Sequence, residues 1–198
     1  IRDRCRHCVK GKSKAQHHKT GQEESRIPTL SLDYGFMTSG LEVKGGHHSE
    51  DKGEKQGKSL EEGAPIVVLK DERTKFLVAK VAPRKGAEAQ VIQSLARDID
   101  AVGYNRVRIK TDTEHAIRAL KDGVAQETRT EIVPILAPKG DSQSNGGAEN
   151  AIQRIQGQVR TMRSALEEKY GEEIGSSHAV VPWMVEYAAQ CLNMGQKG

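Results

Sequence analysis

The 198-residue chain has little cysteine, few aromatic residues and no long apolar run. Its three cysteines, Cys5, Cys8 and Cys191, are too few and too unevenly spaced for a disulfide framework, which favours a reducing compartment. Seven aromatic residues (one Trp, four Tyr and two Phe) are few for a protein that stacks many exposed bases. No apolar run approaches the roughly 20 residues of a membrane span and no signal-peptide core opens the chain, so no membrane partner is expected.

Net charge is also small once the first 20 residues are set aside. The whole chain has 31 Lys plus Arg against 27 Asp plus Glu, a net charge of +4. Residues 1–20 alone hold seven bases and one acid, a net of +6, and the other 178 residues hold 24 bases and 26 acids, a net of −2. We therefore expect a basic leader over 1–26 and a near-neutral domain over 27–196. The start at Ile1 rather than Met indicates a piece of a longer polypeptide.

Local patterns predict an α/β domain. A polar, glycine-containing stretch over 42–63 is typical of a flexible insertion. Pro134 favours an edge position for the last strand. Strands followed by alternating helices and strands indicate a mixed sheet with helices on its faces. The predicted elements are a strand within 27–37, a hairpin of 66–69 and 76–81, a helix over 87–102 that ends at Gly103, a strand over 107–110, a helix from Asp112 or Thr113 to about 125, a strand over 132–136, and helices over 145–170 and 180–194.

Three acids stand out by position. Asp33 lies inside an apolar strand, where a lone carboxylate is costly unless it has a partner, a cation or an exposed edge. Asp112 ends a strand and Glu149 lies in the first turns of the long helix. Each also has a simpler interpretation: Asp33 as a strand-edge acid, Asp112 as a helix N-cap, and Glu149 as a first-turn acid that interacts favourably with the helix dipole. Acids projected from several elements could together hold two Mg²⁺ ions for phosphoryl transfer.

The long helix carries a polar strip beside its apolar stripe. At about 100° per residue, one carboxylate, two amides and two guanidinium groups fall on the same edge. This composition suits metal binding near the helix start and phosphate contact further along. The strip consists of Glu149, Gln153, Gln156, Arg160 and Arg163.

The order and context of the three acids resemble the catalytic core of retroviral and retrotransposon integrases. Asp112 and Glu149 are separated by 36 residues, close to the spacing in that family. The resemblance covers about residues 27–195. It is carried by Leu32-Asp33-Tyr34, by Ile109-Lys110-Thr111-Asp112, by the segment from Ser142 to Asn150, and by the helix entry from His178 to Trp183.

This resemblance implies a ribonuclease-H-like fold, with a five-stranded mixed sheet flanked by helices. It also implies an enzyme that trims the 3′ ends of retroelement DNA and then transfers them into a target strand. Asp33 and Asp112 would share one Mg²⁺ or Mn²⁺, and Glu149 with one aspartate would hold another. A homo-oligomer acting in the host nucleus, released from a retroelement Pol polyprotein, is implied in the same way.

The resemblance further implies a DNA-binding surface around the three acids. Asn145 and the glycines after it would position DNA ends, and Trp183 would anchor the last helix or form part of a dimer surface. Cys191 is expected to be a small core residue. The predicted DNA-binding residues are Lys139, Asn145, Gly146, Gln153, Gln156, Arg160 and Arg163.

The leader fits the same family. Cys5 and Cys8 form a Cys-x-x-Cys pair, which is half of a tetrahedral zinc site. They resemble the second half of the His, His, Cys, Cys zinc domain of integrases, whose histidines would lie upstream of Ile1. His17 and His18 are an alternative pair of ligands, although solvated tail residues are the simpler interpretation.

Several features depart from the family pattern. Asp112 is followed by Thr113, Glu114 and His115, where many relatives have a small pair such as Asn-Gly, and Gln153 and Gln156 stand where some relatives have lysines. Two other functions stay open. One is a cut-and-paste transposase or nuclease of the same fold, and the other is a catalytically inactive, nucleic-acid-binding relic.

Overall fold

A computed structural model describes residues 27–37, 64–133 and 146–195 of the chain. Cys5, Cys8, Lys139, Asn145 and the insertion over 42–63 lie outside these residues. The described elements are β1 (Thr29–Phe36), β2 (Pro65–Asp71), β3 (Leu77–Val81), α1 (Ala89–Val102), β4 (Arg106–Lys110), α2 (His115–Glu127), β5 (Glu131–Val133), α3 (Gly146–Tyr170) and α4 (Val180–Met194).

The strands form one five-stranded mixed sheet in the order β3-β2-β1-β4-β5. β2 pairs antiparallel with both β1 and β3, whereas β4 pairs parallel with β1 and with β5. Four of the five strands therefore run in one direction and end at one edge of the sheet. The predicted fold class is confirmed, and β5, which precedes Pro134, is an edge strand of this sheet.

Both faces of the sheet are buried. One apolar cluster joins Leu30, Leu32 and Tyr34 of β1 to the inner faces of α1 and α2. The opposite cluster joins Ile66 and Val68 of β2 to α3 and α4. Alternate residues of β1 and β2 thus point to different helical layers, which explains why the β2 sequence is continuously apolar rather than alternating.

Local signals at helix ends were predicted with mixed success. Gly103 has φ 84° and its N–H bonds to the Asp100 carbonyl, so α1 ends where the sequence predicted. The predicted cap of α2 is wrong: α2 begins at His115, and the preceding Glu114 makes no side-chain capping bond. Asp112 instead accepts a hydrogen bond from the N–H of Thr113 at 2.6 Å, which leaves its side chain outside the helix.

The surface of α4 departs from expectation at one aromatic residue. Trp183 is 55% exposed and stacks on Tyr187 with ring centroids 4.9 Å apart. It therefore does not anchor the helix in the core, a role that Met184 and Val185 fill instead. Cys191, expected in the core, is only half-buried.

The last turn of α4 also closes the outer side of β3. The Asn193 side chain accepts a hydrogen bond from Leu77 N–H and donates one to the Leu77 carbonyl, both at 2.8 Å. Of the helices described, none is long and apolar enough to cross a membrane.

Candidate active site

The pairing of β1 with β4 brings two of the predicted acids together. Ser31 lies opposite Lys110 in this parallel ladder. The same register continued by two residues sets Asp33 opposite Asp112, just beyond the end of β4. Both acids consequently lie towards the carboxyl ends of adjacent parallel strands, a common place for sites in α/β sheets.

Helix α3 carries the third acid over the same part of β1. Near its start, a Cβ on Gly147 would lie 2.1 Å from Glu72 Oε1, and that carboxylate accepts a hydrogen bond from Ser31 Oγ at 2.8 Å. Further along, a Cβ on Gly35 would lie 2.6 Å from Ile152 Cγ2. Glu149 lies between these two contacts along the helix, just as Asp33 lies between Ser31 and Gly35 along the strand.

The electrostatics of Asp33 indicate that the other acids lie within reach of its charge. Partial burial is the main reason that its pKa rises from 3.8 to about 6, and the negative charges of Asp112, Glu149 and Glu114 raise it further. A hydrogen bond from Tyr34 N–H at 2.8 Å acts in the opposite direction. Asp33 is half-buried, whereas Asp112, Glu114 and Glu149 are exposed. The site is therefore an acidic edge open to solvent.

The donor set suits a hard divalent cation. Carboxylate oxygens are the ligands that Mg²⁺ prefers, and a cation would relieve the repulsion that raises the pKa of Asp33. However, within 27–37, 64–133 and 146–195 no three Asp, Glu, His or Cys side chains are grouped closely enough to hold a metal ion. The carboxylates are thus neighbours rather than a closed ligand set.

The predicted polar strip of α3 is only partly exposed. Gln153 is exposed, and Arg160 and Arg163 are half-buried. Arg163 Nε bonds to Glu167 Oε1 at 2.7 Å. Gln156 is a correction: it is 8% exposed, and its amide nitrogen donates to the Phe36 carbonyl at 2.9 Å, so it packs α3 against β1 and does not face DNA. The close approach of α3 to β1 at Gly35 explains its burial.

One group of residues around the site was missed from the sequence. Lys70 Nζ lies 2.9 Å from Glu72 Oε2 and 3.4 Å from the Gly147 carbonyl, and Ser31 bonds to the same Glu72 carboxylate. This cluster of Ser31, Lys70 and Glu72 sits beneath the first turn of α3 and so supports the segment that carries Glu149. The sequence signal for this cluster is the presence of Ser31 and Lys70 within apolar strands. Their shared contact with Glu72, and the position of the cluster under α3, follow only from the fold.

Comparison with known proteins adds evidence on the fold. No family model and no curated protein matches the chain. One similar solved structure is the catalytic core domain of BIV integrase, with 14% identity over 85% of this chain and 86% of that chain, at a TM-score of 0.47.

A second similar structure is that of a simian T-cell lymphotropic virus intasome in complex with the PP2A regulatory subunit B56 gamma. Identity is 13% over 97% of this chain, at a TM-score of 0.54, and the match spans 58% of the other chain. Together with the sheet order described above, the similarity to this second structure shows a shared α/β fold, a five-stranded mixed sheet flanked by helices.

Proposed function

We propose that the chain is the catalytic core of a retroelement integrase, a metal-dependent polynucleotidyl transferase with endonuclease activity. Its reactions are trimming of retroelement 3′ ends and attack of the new 3′-hydroxyl on target DNA. The observation that supports this most is the common neighbourhood of Asp33, Asp112 and Glu149 at the carboxyl edge of an integrase-type sheet.

The three acids provide the metal ligands in this proposal. Asp33 and Asp112 hold one Mg²⁺ or Mn²⁺, and Glu149 with one of the aspartates holds another. Bound there, the ions supply activation of the attacking oxygen and neutralisation of charge on the reacting phosphate. The rigid strand ends and helix start fix the carboxylates, while their exposure leaves room for a DNA backbone.

Further residues of the chain bind DNA in this proposal. Gly146, at the first position of α3, and Asn145 before it position the DNA ends. Gln153, Arg160 and Arg163 follow the helix, and Lys139 adds a phosphate contact. Arg163 would exchange its half-buried ion pair with Glu167 for a phosphate oxygen.

The proposal includes partners and place of action. Cys5 and Cys8 contribute two thiolates to a Zn²⁺ site in the longer polypeptide. The protein works as a homo-oligomer on retroelement and target DNA in the host nucleus, after release from a Pol polyprotein.

A strand-joining assay tests the function. The purified chain is incubated with labelled retroelement-end duplex and Mg²⁺ or Mn²⁺, and cleaved and joined products are separated. We expect joined products that disappear in EDTA and that fall by roughly 10²-fold or more in Asp112→Asn, since a metal ligand is lost. Asp122→Asn is the matched control, because Asp122 is an exposed acid of α2 that pairs with the neighbouring Lys121.

The outcomes separate the rival functions. Cleavage without joining would indicate a nuclease of the same fold. DNA binding that persists in EDTA, with no product under any metal, would indicate an inactive binding relic. Full joining activity in Asp112→Asn would show that the site is assigned to the wrong residues.

A further inference from the structure

The loop between β3 and α1 lies beside the acidic edge. Because β3 runs in the same direction as β1, this loop leaves the sheet at the carboxyl end where Asp33 lies. Tyr34, the residue after Asp33, fixes the loop: its hydroxyl accepts a hydrogen bond from Gly86 N–H at 3.0 Å and donates one to the Gly86 carbonyl at 3.2 Å. Lys85 is therefore held at a defined place next to the end of β1.

Aromatic rings hold the Lys85 ammonium group. Its Nζ lies 4.9 Å from the centre of the Phe36 ring and 5.6 Å from that of Tyr34. Both distances are within the range of a cation–π interaction, which keeps a cation in place without neutralising it. The position of this charge consequently depends on β1 itself, the strand that carries Asp33.

The present partner of Lys85 is an acid of the site's rim. Its Nζ lies 2.8 Å from Glu114 Oε1 and 3.0 Å from Oε2. Glu114 precedes α2 and its side chain makes no capping bond, so the carboxylate is not otherwise required by the helix. It is also near enough to Asp33 to raise the pKa of that acid.

We propose that Lys85 is a phosphate-contact residue for the nucleic-acid strand that enters the acidic edge, and that Glu114 holds the lysine in place until a phosphate displaces it. The lysine and glutamate side chains are 30% and 42% exposed, so exchange with a solvent-borne anion is sterically open. An ion pair at the surface contributes little to stability, so a phosphate can readily replace Glu114 as the partner of Lys85. This inference rests on the proposed function, because it takes DNA as the substrate.

The negative charge of the site is the reason that a phosphate contact from Lys85 would help DNA to bind. Asp33, Asp112, Glu114 and Glu149 repel an approaching phosphate backbone as long as divalent cations do not offset their charge. A lysine already aligned at the rim offers the strand a cation on the side of the site opposite α3. The pair with Glu114 keeps that cation from binding other anions in the meantime.

Fluorescence anisotropy with a short labelled DNA duplex, over a series of KCl concentrations in Mg²⁺, tests the proposal. Lys85→Ala is expected to weaken binding about 5-fold and to reduce the salt slope by about 1, as for loss of one phosphate contact. Glu114→Gln is expected to strengthen binding about 2-fold or more, because it frees the lysine. The double variant should behave like Lys85→Ala.

Arg84→Ala is the matched control. Arg84 is the adjacent residue of the same loop, its side chain is 80% exposed, and it pairs with Glu88. We expect less than a 2-fold change in affinity. Thermal unfolding of every variant shows whether a loss of binding reflects a loss of fold.

Two results would overturn the inference. One is an equal effect of Lys85→Ala and Arg84→Ala on affinity and salt slope, and the other is weaker binding in a folded Glu114→Gln. If the unaltered chain binds no DNA, both this inference and the DNA substrate of the proposed function are wrong. If it binds DNA but never joins strands, only the proposed transferase activity fails.

Discussion

At the scale of single residues, the charge on Asp33 opposes folding at neutral pH. Its pKa in the folded chain is about 6, against 3.8 when exposed to water. A raised pKa means that the folded state prefers the protonated acid. The contribution of Asp33 to stability is therefore greatest below pH 3.8 and is lost as the pH rises through 6.

Asp33→Asn should accordingly stabilise the folded chain at pH 8 and leave it nearly unchanged at pH 4. We expect a gain of about 1–2 kcal/mol, after a reduction for the partial exposure of the group. Urea unfolding at the two pH values measures this gain, with Asp122→Asn as the control for loss of an exposed acid. An equal gain at both pH values would show that the stabilisation is not electrostatic.

The same residue links stability to metal binding. A divalent cation at the site would favour the ionised acid, so Mg²⁺ should raise the melting temperature of the unaltered chain at pH 8 more than that of Asp33→Asn. Ionisable groups whose pKa is shifted by burial and by neighbouring charges are typical of functional sites. This residue-scale cost is consistent with selection for activity rather than for stability.

At the scale of elements, the start of α3 depends on one close contact. A Cβ on Gly147 would lie 2.1 Å from Glu72 Oε1, 3.0 Å from Glu72 Cδ and 3.1 Å from Lys70 Nζ. The Glu72 side chain cannot simply swing away, because Lys70 and Ser31 both bind its carboxylate. These bonds also lower its pKa, so the acid is ionised at neutral pH.

Gly147→Ala is therefore expected to destabilise the chain by about 1–3 kcal/mol and to shift the first turn of α3, with a loss of strand joining. Gly146→Ala is the control for the stability measurement alone, since no heavy atom that the structure describes beyond its own helix backbone lies within 4 Å of its added Cβ. Chemical denaturation and the joining assay measure the two effects. Equal stability of the two variants would show that the Glu72 cluster yields freely and does not position the helix.

The elements also show what can be read from the sequence. Strand and helix positions, the end of α1 at Gly103 and the sheet class follow from local patterns. The burial of Gln156 does not follow from local patterns. It lies only about 60° around the helix from the exposed Gln153, yet the approach of Gly35 to Ile152 buries it. Burial there is decided by a contact between distant parts of the chain, which periodicity does not contain.

The candidate site also contains residues that the sequence predicts and residues that it does not. Asp33, Asp112 and Glu149 could be selected because their order and spacing resemble a known family, and the register of β1 with β4 agrees with that selection. The residues that surround and position these acids could not be selected from the sequence. The pairing of Lys85 with Glu114 and the hydrogen bond of Ser31 to Glu72 depend on how separate loops and strands meet.

At the scale of the whole molecule, charge is divided between two parts of the chain. Residues 1–20 carry a net of +6 and the remainder a net of −2. Salt-sensitive DNA affinity should therefore come mostly from the leader, while the domain adds a metal-dependent contribution at its acidic edge. A local lysine such as Lys85 then adds a single phosphate contact at a defined place on the domain.

The hydrogen bonds between Asn193 and Leu77 have a consequence for behaviour at high concentration. β3 is an outer strand, and such strands offer their backbone to strands of other molecules. A single amide at the end of α4 takes the place of a neighbouring strand at Leu77, and the helix that carries it packs along β3. These contacts block part of the β3 edge and so oppose edge-to-edge aggregation.

Asn193→Ala should remove both hydrogen bonds and expose the edge of β3 at Leu77. We expect a loss of about 1–3 kcal/mol, because the buried Leu77 backbone loses its partners, and self-association that increases with protein concentration. Gln190→Ala, on the exposed side of the same helix, is the control. Light scattering across a concentration series measures the association; a monodisperse Asn193→Ala sample would show that the packing of α4 alone keeps one molecule's sheet from extending into the next.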